Sequence, residues 1–204
     1  MDTHRADANV QEAACRAFSK QIQCNPTICE LVGEESSYLL PMHTSVLAAL
    51  NIHIDDVYVF HAACSAIHSM ACHSKLLQQY LVAKGAFIPI VDRMRANSTE
   101  SEVQEWGCRA LRALSMDHPI QKHLLFKYDI LSQLIVIMST WSDKVSVLEE
   151  CVGLLASLAT DLEEVRRQCT NNETLSMILK LMNIECPTND LIEMTLEALG
   201  KSIF

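Results

Sequence analysis

The sequence predicts an all-α solenoid, a protein in which one helical unit is stacked on itself. The first observation is a period of 44 residues, which separates Glu105, Glu149 and Glu193 and also separates Leu111, Leu155 and Leu199. The second is that VQEAACRAF (residues 10–18) and VQEWGCRAL (residues 103–111) are near-copies. The third is a low content of 5 Gly and 5 Pro, which suits helices joined by short connections. A fixed period of this length is typical of stacked supersecondary units.

Apolar positions follow the same period, and aligning them shows where the first unit contains extra residues. Stepping back 44 residues from Leu111 reaches Ile67, whereas a further 49 residues are needed to reach Phe18. Leu50 precedes Met94 by 44 residues, so the extra residues of the first unit come before its second helix. They fall around residues 33–38, where we expect a surface loop that is a tolerated insertion rather than a binding loop.

Each unit is predicted to contain three helices, and residues 76–116 show the pattern best. A short first helix, LLQQYLVAK, ends at Gly85, a residue that readily adopts the left-handed conformation. The second, AFIPIVDRM, tolerates Pro89 in its first turn, and the third, EVQEWGCRALRALSM, is expected to be capped by Ser98 or Thr99. We therefore predict a single domain over residues 1–204, with an unpaired third helix at 8–24 followed by four three-helix units to residue 204.

Composition limits the compartment and the partners. The formal net charge of −9 argues against nucleic acid as a partner. No run of about 18 apolar residues exists, so no membrane span is predicted, and the first residues have no signal-peptide character. Cys15, Cys64 and Cys108 occupy equivalent positions of the repeat, which we call one slot, and Val152 and Leu196 occupy the same slot in later units. A cysteine that exchanges with Val and Leu is a small buried hydrophobe rather than half of a disulfide. A reducing, cytoplasmic location follows, and a nuclear one stays open.

The chemistry of a catalytic or metal site is not evident. His61, Cys64, His68 and Cys72 lie near one face of a predicted helix and are residue types that ligate Zn²⁺. A straight helix rarely closes a tetrahedral site alone, however, and Cys64 belongs to the apolar slot, so no metal or other cofactor is predicted. Nucleotide-binding, hydrolase and kinase signature motifs are missing, and we expect a protein without catalytic activity.

The residues Gly85-Ala-Phe-Ile-Pro-Ile-Val-Asp-Arg-Met94 and VQEWGCRALRALS, in a three-helix unit of this size, resemble the armadillo repeat. The resemblance covers residues 8–204 and implies a right-handed solenoid whose third helices line a concave groove. NVQEAACRAF followed by the insertion LVGEESSYLLPMHTSVLAAL is similar to the armadillo region of leucine-rich repeat kinases or kinase-like proteins. The Trp–Asn pairs with which nuclear-import adaptors line their groove are missing, so binding of basic import signals is not expected.

Two functions remain open at this stage. The first is a non-catalytic scaffold or adaptor that binds a protein or peptide in the concave groove. The second is a regulatory or docking tail, or an isoform, of a kinase-like protein. The oligomeric state is not determined by the sequence.

The candidate partner-binding residues are those that third helices are expected to present in the groove: Arg16, Lys20, Ser65, Ser69, Arg109 and Arg112. Their basic members predict an acidic or phosphorylated segment as the partner. The alternative is that their stems only cover apolar surface. Charge reversal at Arg109 and Arg112 is expected to leave the melting temperature nearly unchanged.

Overall fold

The computed structural model describes residues 2–25 and 40–169, and over these ranges the chain is helical without a strand. A 3-10 turn at Asp2–His4 precedes the first α-helix. The α-helices are α1 (Ala8–Cys24), α2 (Leu40–Ile52), α3 (Val57–His73), α4 (Lys75–Ala83), α5 (Phe87–Ala96), α6 (Ser101–Ser115), α7 (Pro119–Lys127), α8 (Ile130–Thr140), α9 (Val145–Asp161) and α10 (Glu163–Cys169). The prediction of an all-α fold is confirmed. The third helices of successive units are α1, α3, α6 and α9.

Several helices are preceded by a polar residue whose side chain caps the first turn. The Asp56 carboxylate accepts hydrogen bonds from the backbone N–H groups of Tyr58 and Val59 at 2.9 and 3.0 Å. Asp7 and Ser74 cap α1 and α4 in the same way. Each cap satisfies N–H groups that the first turn of a helix leaves without a partner.

Helix α6 departs from the predicted capping. Its N-cap residue is Glu100, which makes no side-chain capping bond, so the prediction of a Ser98 or Thr99 cap was wrong. The helix begins at Ser101, which leaves Ser98 in the preceding turn. There its carbonyl oxygen accepts a hydrogen bond from the indole N–H of Trp141 at 3.3 Å.

Gly85 ends the short helix α4 as predicted. Its φ of +70° lies in the left-handed region, where a side chain is strained. A Cβ atom at this position would also lie 3.3 Å from Cδ1 of Ile88. Glycine therefore separates α4 from α5 at low cost.

The described helices belong to two compact units, Met1–Asn97 and Ser98–Phe204. In the first unit, α1 packs along α3, and α2 contacts both of them. Val59, Cys64 and Ile67 of α3 have no exposed surface, and neither has Leu50 of α2. The core of this unit is therefore built around α3.

In the second unit, α6 packs along α9, and the shorter helices α7, α8 and α10 also contact α9. The repeat slots are buried in both third helices: Val103, Cys108 and Leu111 in α6, and Val147, Val152 and Leu155 in α9, are all 0% exposed. This burial confirms the alignment of the repeats at 44 residues for the described helices. The organisation as one domain over residues 1–204 stays a prediction, and the insertion around 33–38 and the final helix expected at 188–204 lie outside the described residues.

Cysteines of the shared slot are core residues, as predicted. Cys15, Cys64 and Cys108 are fully buried, and burial raises the pKa of the Cys15 thiol to about 12. Cys108 lies 3.6 Å from Cys151, sulfur to sulfur, and the hydrogen bond between them together with burial raises the Cys108 pKa well above its ordinary value. Such thiols stay protonated and are poor nucleophiles.

One buried histidine is expected to make the stability of the first unit depend on pH. His43 is 1% exposed, and its ring packs edge-on against Tyr80 with 3.9 Å between the ring centroids. Burial, and secondarily the charge of Lys84, lower the His43 pKa from its ordinary value of 6.5. A lowered pKa means that the fold favours the neutral ring, so this stability is complete above the unfolded-state pKa and is lost as the pH falls toward the folded-state value.

We therefore expect the melting temperature to fall as the pH is lowered from about 7 to about 5, partly because the unfolded chain binds a proton at His43 more readily than the folded chain does. His43→Phe should make this fall smaller, measured by circular dichroism at several pH values. His123→Phe, at an exposed position, is the control and should retain the wild-type pH dependence. Equal pH dependence of wild type and His43→Phe would contradict the assignment.

Candidate interaction surface

In each unit, a group of polar side chains lies on two neighbouring third helices. The same offset between bonded residues, which we call the register, occurs in both units. In several bonded pairs, a polar residue on one helix contacts the residue that lies three positions before its repeat equivalent on the next helix. Four pairs follow this register: Ser19–Ser65 and Gln23–Ser69 at a separation of 46, and Glu105–Ser146 and Arg109–Glu150 at a separation of 41. The repeat periods there are 49 and 44 residues.

In the first unit, hydroxyl groups join α1 to α3. The Ser19 hydroxyl shares hydrogen bonds with those of Ser65 at 2.8 Å and Ser69 at 2.9 Å. The Gln23 side-chain amide donates to the Ser69 hydroxyl at 3.1 Å. Ser69 is 1% exposed, so it acts within the helix pair, whereas Ser65 is half-buried.

Arg16 and Lys20 of α1 lie at the surface of the same unit. The Arg16 side chain is 56% exposed and pairs with Glu12 on its own helix at 2.8 Å. Lys20 is exposed. The register places Ala62 and Ala66 opposite these two cations on α3, and both alanines are buried. The neighbouring helix therefore offers no acidic group at the positions opposite Arg16 and Lys20.

In the second unit, the Glu150 carboxylate pairs with both Arg109 and Arg112, the two arginines that the sequence indicates as candidates. The Arg109 Nε–H donates to the Glu150 carboxylate at 2.7 Å, and an Arg112 Nη lies 3.5 Å from the other oxygen of the same carboxylate. The Glu150 side chain is only 8% exposed, whereas those of Arg109 and Arg112 are 27% and 31% exposed. A carboxylate this buried requires a cation beside it.

The Arg109 guanidinium makes two further contacts on its own helix. It lies over the Trp106 ring at 4.4 Å from the centroid, and an Nη lies 3.6 Å from the Glu105 carboxylate. Glu105 in turn accepts a hydrogen bond from the Ser146 hydroxyl of α9 at 2.8 Å. Arg109 therefore stands at the centre of a charged cluster that joins α6 to α9.

This cluster changes one expectation. Charge reversal at Arg109 and Arg112 was expected to leave the melting temperature nearly unchanged, but both side chains contact a nearly buried carboxylate. Reversal would place like charges together at α6 and α9, so it should destabilise the second unit. Sequence reasoning missed Glu150, Ser19 and Gln23, because it compared residues by repeat slot whereas contacts occur three positions away from the slot.

The metal candidates do not form a centre. Cys64 is fully buried in the core, whereas Cys72 is exposed, with its sulfur 3.8 Å from both ring nitrogens of His68. Within residues 2–25 and 40–169, no group of three or more His, Cys, Asp or Glu residues is arranged to hold a metal ion. Nor does any helix in these ranges combine the length and apolar character needed to cross a bilayer.

The sequence model of one family, described as LRRK2 ARM repeat, matches the chain over residues 1–204. The chain belongs to the LRRK2 ARM repeat family. The predicted resemblance to the armadillo region of leucine-rich repeat kinases is thus confirmed, and the three-helix period is that of the armadillo repeat. Armadillo repeats are a non-catalytic fold that generally mediates protein–protein interactions.

Proposed function

We propose that this armadillo chain is a scaffold that binds a protein segment on the face shared by α1 and α3, with Arg16 and Lys20 as the charged contacts and Ser65 beside them. An acidic or phosphorylated segment fits this face, because its negative groups would meet two exposed cations on a chain of net charge −9. The exposure of Arg16 and Lys20, beside a helix Val57–His73 that contains no acidic residue, is the observation that carries the proposal.

The second unit is a weaker candidate for the same partner. Glu150 already compensates Arg109 and Arg112, so an incoming carboxylate would compete with an internal ion pair. Ser69 is buried between helices and is left out of the proposed contact set. The contacts proposed from the six sequence candidates are therefore Arg16, Lys20 and Ser65.

Charge reversal on α1 tests the site. We expect Arg16→Glu/Lys20→Glu to reduce capture of the partner by at least about fivefold at low salt, where screening is weak. The readout is affinity capture from cell extract with quantitative mass spectrometry, followed by titration of each purified partner. The melting temperature should change little, because both side chains are exposed.

Lys75→Glu/Lys127→Glu is the matched control, because it changes the net charge equally at exposed positions on α4 and α7. It should leave capture at the wild-type level. If both double variants reduce capture equally, the effect is one of net charge, and the α1 face is not the binding site.

A second candidate function is that of a regulatory or docking region for a kinase, and the family match favours it. The test is the size of the protein recognised in cells by an antibody against this sequence, compared with 22.8 kDa for this chain alone. A larger protein with a kinase domain, whose activity changes with Arg16→Glu/Lys20→Glu, would support this function. A protein of 22.8 kDa alone would exclude a tail joined to a kinase domain.

A further inference from the structure

A cavity in the first unit lies away from the α1 and α3 face. It has a volume of about 460 Å³ and is bounded by one face of α2, the end of α4 and the first turn of α5. The α2 wall consists of Thr44, Leu47 and Asn51, whose spacing places them on one side of that helix. Tyr80 and Lys84 form the α4 wall, and Gly85, Ala86, Ile88 and Pro89 complete the lining.

The lining is mostly apolar, and among the described residues that form it Lys84 carries the one charge. The Lys84 ammonium lies 5.3 Å from the centroid of the Tyr80 ring, which holds the charge beside the cavity wall. Among the described residues, Lys84 has this ring as a partner and no carboxylate. Ile88, whose side chain lines the cavity, is 40% exposed. The cavity therefore combines apolar surface that is open to solvent with one positive charge.

Tyr80 and Lys84, which form the α4 wall of the cavity, are supported by contacts outside the cavity. Tyr80 packs against the buried ring of His43, which neighbours Thr44 on α2. The left-handed backbone of Gly85 turns the chain so that Ala86, Ile88 and Pro89 follow Lys84 directly around the cavity. Because His43 is buried and Gly85 restricts the backbone, the Tyr80 ring and the chain around the cavity are positioned before a ligand enters, which lowers the entropic cost of binding.

We infer that this cavity is a docking site for a second kind of protein segment, one that presents a bulky apolar side chain next to a carboxylate. The apolar side chain would enter between Leu47, Tyr80 and Ile88, and the carboxylate would pair with Lys84. A pocket of this size with an apolar lining and one oriented charge is typical of specific ligand sites. The inference rests on the proposed scaffold function only for the choice of a protein as ligand, since the cavity shares no residue with the α1 and α3 face.

The probe is the blocked tetrapeptide acetyl-Gly-Phe-Asp-Gly-amide, titrated into the full chain labelled with ¹³C at Leu and Ile methyl groups. We expect saturable shifts of the Leu47 and Ile88 methyl signals and none at Leu124 of α7. Replacing the peptide's Phe by Ala should weaken binding at least about tenfold, because the apolar burial is lost. Replacing its Asp by Asn should weaken binding by about two- to fivefold, as expected for an exposed ion pair.

Lys84→Met should abolish the preference for the Asp peptide over the Asn peptide, and Lys84→Gln should give the same result. Lys127→Met, which removes a charge elsewhere, and Arg16→Glu/Lys20→Glu, which tests the other site, should both bind the peptide as wild type does. Unchanged Leu47 and Ile88 signals at the highest soluble peptide concentration would overturn the inference. So would an Asp preference that survives both Lys84 variants.

Discussion

Leu111→Ala is expected to lower the free energy of unfolding of the second unit by about 2–5 kcal/mol, the range for emptying a packed core position. Leu111 is 0% exposed on α6, and its repeat equivalents Ile67 and Leu155 are equally buried. Helix α6 packs along α9, and removing a buried leucine side chain from α6 leaves a cavity that these packed helices fill only in part. Denaturation in urea, followed by circular dichroism, measures the change.

Leu124→Ala is the matched control, because it makes the same substitution at a leucine that is 38% exposed on α7. It should cost less than about 1 kcal/mol, as surface substitutions usually do. Equal losses for the two leucine variants would show that the repeat alignment does not identify the core.

Arg109→Glu is expected to destabilise the second unit by about 2–4 kcal/mol, between the values for exposed and buried ion pairs. The variant removes the 2.7 Å bond to Glu150 and places a third carboxylate beside Glu105 and Glu150. In a Glu150→Gln background the cost should be clearly smaller, because one of the two repelling carboxylates is gone. Urea denaturation of the two single variants and the double variant gives the coupling energy.

Arg16→Glu provides the comparison, because Arg16 holds the same repeat slot on α1. Its side chain is 56% exposed and pairs only along its own helix among the described contacts, so the cost should stay within about 0.5 kcal/mol. The contrast between two arginines of one slot tests whether the neighbouring helix decides their role. Strictly additive losses for Arg109→Glu and Glu150→Gln would refute the coupling.

The fold could be predicted from the sequence because burial repeats with the period. Val103, Cys108 and Leu111 fill equivalent core positions to Val147, Val152 and Leu155, and a hydrophobic slot tolerates exchange among such residues. The end of α4 at Gly85 could also be predicted, because a positive φ depends mainly on the residue type at that one position.

The site was less predictable, because the role of a surface side chain depends on the residue that it contacts and not on its position in the repeat. Arg16 and Arg109 look alike in the sequence, yet Arg16 pairs with Glu12 on its own helix, whereas Arg109 bonds to Glu150 on the next third helix. The cavity beside Lys84 depends on three helices at once, so no spacing in the sequence signals it. The prediction of the α6 cap was wrong because the helix begins at Ser101, one residue later than a Thr99 cap requires.

The three-position register between third helices has a consequence for engineered consensus repeats. A designer who averages each column of the aligned units would copy Arg109 into every repeat and choose the residue at the Glu150 column independently of it. Since the partner of Arg109 lies in a different column of the next repeat, such an average separates this cation from the nearly buried carboxylate that it compensates. Arginine and glutamate would have to be transferred together, as one element that spans two adjacent repeats.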